Sequence, residues 1–172
     1  MNTKKSMAAT AFAAVLATGA LLVPAGTASG SAAVPECGNA DLKAGFVATD
    51  AATSHRFGRM RLTNISTHSC AVQGYGGLSY VGKGNGTQIG AAAQRTPSST
   101  PLVVLAPGQR AVSAVSMTTS GPYPRRVCHP AKVDGFRVYV PDSTVAQFVP
   151  FKTTACANRH LNTLAHKAYR RP

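Results

Sequence analysis

The chain has 172 residues, of which 44% are apolar and 6% aromatic, with no tryptophan. That apolar share is ordinary for a globular domain, so a core must be built mainly from Val, Leu, Ala and a few Phe and Tyr. Its 18 Lys and Arg face only 5 Asp and Glu, a formal +13, which disfavours chemistry that needs two converging carboxylates, such as glycoside hydrolysis.

At the start of the chain, Lys4 and Lys5 precede an apolar stretch from Ala11 to Val23, and a small-residue run from Ala25 to Ala33 follows. This layout predicts a secretory signal over residues 1–33, cleaved after Ala28 or after Ala33. The apolar run is shorter than the roughly 20 residues that span a bilayer, and Pro24 and Gly26 end it. No later segment is apolar enough to be a transmembrane segment. Val34-Pro35-Glu36, ahead of Cys37, lacks the Leu-small-small run that lipid attachment requires. The expected product is secreted and extracellular, at most loosely associated with the cell envelope.

Four cysteines follow: Cys37, Cys70, Cys128 and Cys156. In an oxidising compartment they imply two disulfides, with three connectivities open. His68 and His129 lie near Cys70 and Cys128, but no C-x-x-C or close His pair supplies metal-ligand spacing, so neither a metal nor another cofactor is expected. Sequential pairing, Cys37 with Cys70 and Cys128 with Cys156, is the expectation. It closes two loops of about thirty residues, each contributing ~3.5 kcal/mol in the chain-entropy model.

Between the cysteines, short β-like runs alternate with turn chemistry. Phe46 to Thr49 is the first. In Arg59-Met60-Arg61-Leu62-Thr63 the apolar and basic side chains alternate, as on a half-buried strand. Leu78 to Val81 and Thr87 to Ala91 flank Lys83-Gly84-Asn85-Gly86, where Asn85-Gly86 suits a hairpin turn. Leu102 to Leu105 and Ala111 to Met117 flank Ala106-Pro107-Gly108-Gln109, a turn in which Pro presets φ and Gly takes the left-handed position. Lys132 to Val140 and Val145 to Phe151 sit either side of Pro141-Asp142-Ser143. About seven to nine strands at this spacing predict an all-β, antiparallel immunoglobulin-like β-sandwich over residues 34–156, with a small closed barrel as the alternative. No constant period suggests a solenoid.

The order of Cys37, Leu62-Thr63-Asn64, Cys70, Gly74-Tyr75-Gly76, the Pro107-Gly108 turn and the two late cysteines resembles the actinobacterial secreted domain of unknown function 4232. Gly76 departs from a pattern that often has Pro after the aromatic residue. The resemblance implies a secreted or lipoprotein-borne β-sandwich with paired cysteines and no assigned reaction.

Catalytic motifs are missing. There is no G-x-S-x-G elbow and no H-E-x-x-H, and the glycines of Gly82 to Gly86 lack the strand-to-helix context of a phosphate loop. Asn64-Ile65-Ser66 and Asn85-Gly86-Thr87 match the glycosylation acceptor pattern, but turn chemistry explains both. With Lys4 and Lys5 removed, 16 basic side chains face 5 acidic ones, a formal +11, and such a surface attracts polyanions through salt-sensitive forces. Residues 157–172 carry Arg159, Lys167, Arg170 and Arg171 and no acid. Leu161, Leu164, Ala165 and Ala168 there recur at helical spacing, a thin stripe whose burial contributes about 3 kcal/mol at best. A basic C-terminal tail, frayed or forming a short helix, is expected. Arg56, Arg59 and Arg61 form a second basic group.

These seven residues are the candidate contacts for an anionic cell-wall polymer or another extracellular polyanion. The expectation is a monomeric, non-enzymatic binding module without base-specific nucleic-acid recognition. The alternative is a protease-directed inhibitor, acting through the Pro-rigidified loop Thr118 to Arg126, or an unrecognised hydrolase.

Overall fold

The computed structural model describes residues 33–172, so the expected signal and its cleavage sites lie outside the described residues. In chain order the elements are β1 (Leu42–Ala52), β2 (His55–Asn64), β3 (Cys70–Val72), β4 (Gly77–Gly82), β5 (Thr87–Ile89), β6 (Gln94–Arg95), β7 (Val103–Leu105), β8 (Arg110–Thr118), α1 (Arg125–Cys128), β9 (Pro130–Tyr139), β10 (Ala146–Cys156) and β11 (Leu164–His166). One sheet has the order β1-β2-β8-β11-β6, a second β10-β9-β4-β5, and β3 pairs with β7. Neighbouring strands run antiparallel, except that β11 and β6 are parallel.

Alternation decides which side chains meet between the sheets. Along β2, Gly58, Met60, Leu62 and Asn64 are buried; along β8, Ala111, Ser113, Val115 and Met117 are. Across from them, Tyr80 and Phe136 stack with ring centroids 5.3 Å apart. Phe46 of β1 reaches over to Phe136 and Phe151, at 5.0 and 4.9 Å. In a chain without tryptophan these rings are the largest apolar payload joining the layers. Gly58 is needed here, because a Cβ would collide with a Phe46 ring carbon and lie 2.8 Å from the Val47 carbonyl oxygen. Gln147 of β10 closes one side of the sandwich, accepting from Ala44 N and donating to Leu42 O at 2.8 and 2.7 Å.

The disulfides join Cys37 to Cys70 and Cys128 to Cys156. The first ties the approach to β1 onto β3; the second ties α1 to the end of β10. Of two turns expected from the sequence, one forms as expected and one differs in detail. Gly108 has the left-handed φ (79°) that the Pro107-Gly108 turn requires. In the 83–86 loop, by contrast, positive φ falls on Lys83, Gly84 and Gly86, and Asn85 instead accepts from Thr87 N and Oγ1.

The largest correction concerns residues 157–172, which form neither a frayed tail nor a helix. β11 lies beside β8, with Leu164 opposite Met117 and His166 opposite Val115. Thr118 N–H donates to Thr163 O, Lys167 N–H to Ala114 O, and Val112 and Arg170 exchange both backbone hydrogen bonds. Three residues, 167–169, therefore oppose two on β8, a one-residue bulge. It buries both Ala168 and Tyr169 and turns Arg170 out to solvent. The helical spacing of Leu and Ala was coincidental. It left out Tyr169, and it left out the row of backbone donors and acceptors that an open β8 edge would expose. The sandwich accordingly extends beyond Cys156 through Arg170.

Candidate functional site

On β2 the even-numbered residues face the core and on β8 the odd-numbered ones, so the residues between them form a second surface. The pairing of β1, β2, β8 and the C-terminal segment lines these up in rows across the outer face of the larger sheet. Lys43 pairs with Thr63 and Thr63 with Arg110; Gly45 pairs with Arg61, Arg61 with Val112, and Val112 with Arg170. Arg59 lies between Val47 and Ala114 in the next row. Lys43, Arg59, Arg110, Arg170 and Arg171 are exposed and Arg61 is half-buried. The floor between them is Gly45, Val112 and Ala114, short side chains that leave the guanidinium groups standing clear. Two shallow depressions result. One, of about 290 Å³, runs along Lys43, Arg61 and Arg110; the other, of about 320 Å³, lies between Arg59, Arg170 and Arg171.

The five strands of this sheet contain a single acid, Asp50, which pairs with Phe57 one row beyond Arg59. Arginine dominates the group, and its planar fork matches the oxygens of phosphate and carboxylate groups in pairs.

Of the seven candidate contacts, the fold brings Arg59, Arg61, Arg170 and Arg171 together. Lys167 is exposed beside them, its N–H on Ala114 O. Arg56 is separated by the alternation itself. It lies on the opposite face of β2, where Nη1 donates to Thr153 Oγ1 of the other sheet at 3.3 Å. Arg159 lies apart too, in the loop after β10, next to Asn158, whose N–H donates to Cys128 O. Lys43 and Arg110 were missed because the expected strands began at Phe46 and Ala111. Extending the alternation outward by a few residues would have placed both on this face.

Other polar features are accounted for by structure. Asn64 is 1% exposed; its Nδ2 donates to His68 O and Leu105 O, and its Oδ1 accepts from Ser66 N and Oγ. His166 is 4% exposed, with Nδ1 3.4 Å from Ser113 Oγ. That hydroxyl donates to Lys167 O, so the pair holds the C-terminal segment. In the loop proposed for protease inhibition, Arg125 and Arg126 sit in the turn of α1, where Val127 and Cys128 N–H donate to Pro124 O. Among the described residues no group of three or more His, Cys, Asp or Glu side chains is placed to hold a metal ion, and no helix is long and apolar enough to cross a membrane.

In comparison with known families, the model of a domain of unknown function, DUF4232, matches residues 37–167. The match continues past the last cysteine to the end of β11. No curated protein and no solved structure matches the chain.

Proposed function

The chain belongs to the DUF4232 family, and from that premise we propose that it is a secreted, non-enzymatic module that binds anionic polymers outside the cell or at its envelope, through the outer face of its larger sheet. The observation that carries this reading is the register that sets Lys43, Arg59, Arg61, Arg110 and Arg170 on one surface. Three remote stretches of sequence contribute to it, and a solubility device needs no such convergence. Two disulfides support an oxidising compartment. A sheet face with shallow depressions suits a repeating chain of charges better than one small ligand.

Elution from an immobilised poly(glycerol phosphate) column by a salt gradient tests it. The Arg59→Ser/Arg61→Ser variant should elute at lower salt, with the slope of log affinity against log salt reduced by roughly 0.7–0.9 per lost contact. The charge-matched Lys132→Ser/Lys152→Ser variant, on the other sheet, should elute close to the unmodified protein. Equal shifts for both pairs would mean that net charge alone is at work, and flow-through at low salt would end the proposal.

A further inference from the structure

Two depressions meet where the segment after β3 faces the segment after β9. One, of about 430 Å³, is lined by Glu36, Asn39 and Leu102 among others; the second, of about 520 Å³, by Tyr75, Arg95 and Tyr139. Gln73, Asp142, Ser143 and Thr144 line both, so the two form one continuous groove. Each falls in the range of ligand sites, roughly 300–1,000 Å³.

Its walls are held by specific contacts. Along one side run Gly74, Tyr75, Gly76 and Gly77, anchored by the Tyr169 N–H on Gly74 O at 2.8 Å. Gly76 presses on the Tyr139 carbonyl with no room for a Cβ, and the Tyr139 side chain lies over Gly77. The Tyr75 hydroxyl donates to Thr96 O at 2.7 Å, and the Arg95 guanidinium lies 5.6 Å from its ring centroid. The opposite wall is Pro141 to Thr144, with Asp142 at a φ of 57° and Ser143 N–H on Val140 O. Gln73 is tethered by its Nε2 to Thr100 O at 2.9 Å. Two half-buried aromatic rings therefore stand beside a glycine floor, rimmed by amide and hydroxyl groups in fixed positions.

That arrangement fits a ring with an apolar face and a hydroxyl-rich edge. The groove also differs from the basic face in sign. Of the chain's 5 acids, Glu36 and Asp142 both line it, and among the described residues neither lies within ion-pair distance of a cation. We propose that this groove is a saccharide-binding site, for a neutral or amine-bearing sugar chain, and that it is separate from the polyanion-binding face and independent of it.

Amide-resolved NMR titration of the protein with the N-acetylglucosamine tetramer and with the glucosamine tetramer, at physiological salt, tests the site. Saturable shifts are expected at Gly74, Gly77, Ser143 and Thr144, little changed by salt for the acetylated oligomer. Tyr139→Ala should weaken binding roughly tenfold, the scale of one lost aromatic contact. Tyr139→Phe keeps the ring and should retain affinity, which guards against a variant that merely unfolds. Glu36→Gln/Asp142→Asn should remove any preference for the amine-bearing oligomer and leave elution from the polyanion column unchanged. Absence of saturable shifts up to about 10 mM of either oligomer, shifts confined to Arg59, Arg61 and Arg110, or an unaltered affinity in a folded Tyr139→Ala would each overturn the proposal. The first and last of these outcomes leave the polyanion reading untouched, whereas shifts at the basic face would count against its selectivity for anions.

Discussion

His166 is the residue whose charge state the fold constrains most plainly. Burial, and then the nearby Arg95 charge, lower its pKa from 6.5 to about 4, against the smaller opposing effect of a backbone hydrogen bond with Lys167. A folded-state pKa below the unfolded value means that the native form holds the neutral imidazole. The stability this contributes is fully present above pH 6.5 and is lost as pH falls toward 4. The size of the shift corresponds to roughly 3 kcal/mol between those limits. Denaturant unfolding at pH 7.5 and pH 4.5 should show a loss of about 2.5 kcal/mol from this group. His166→Gln should be less stable at neutral pH but should lack that part of the pH dependence. An identical pH dependence in the variant would assign the effect elsewhere.

At the scale of elements, the C-terminal segment is an integral strand whose bulge separates its two jobs. Tyr169 is 2% exposed and its phenol pKa is raised by burial. Arg170, its neighbour, joins the basic face. Tyr169→Ala should therefore cost about 3–5 kcal/mol, the usual cost of emptying a buried aromatic site. Deleting Ala168 should cost less, because two residues then oppose two on β8, a regular ladder that keeps Tyr169 opposite Ser113 and Arg170 opposite Val112 on the outer face. Thermal unfolding of the two variants checks both the magnitude and the order. Of the eleven strands among the described residues, the short β3, β6 and β11 were not legible from sequence. Two or three residues cannot display an alternation, and the equally short β5 and β7 were found only through the turns beside them, whereas the runs in β2 and β8 are long enough to show their inner and outer faces.

At the scale of the whole molecule, the fold distributes a sparse set of acids against an excess of bases. The outer face of the larger sheet carries four strand-borne cations, joined by Arg170 beyond β11, and one acid, while the groove after β3 collects two acids of its own. A polyanion that binds the native face and not the unfolded chain raises stability by mass action, by about 2.7 kcal/mol at a hundredfold excess over Kd. Melting in the presence of polyphosphate should accordingly shift upward at low salt, and the shift should vanish at about 1 M NaCl, where the screening length is about 3 Å. A shift that persists at high salt would indicate binding that is not electrostatic.

Sequence by itself determined the all-β class, the cysteine framework and the excess charge, because strand alternation, turn residues and composition are local quantities. It also placed Arg59 and Arg61 opposite Met60 and Leu62, and the structure keeps them there. Only the tertiary structure decided which cations share a surface. It separated Arg56 from its neighbours, brought in Lys43 and Arg110, and made a strand of the presumed tail. The reason is physical: pairing partners lie 47 to 63 residues apart between β2 and β8, from Thr63 with Arg110 to His55 with Thr118, and a single bulged residue reverses which side chains face water. Neither register nor bulge is written in any local window of the chain.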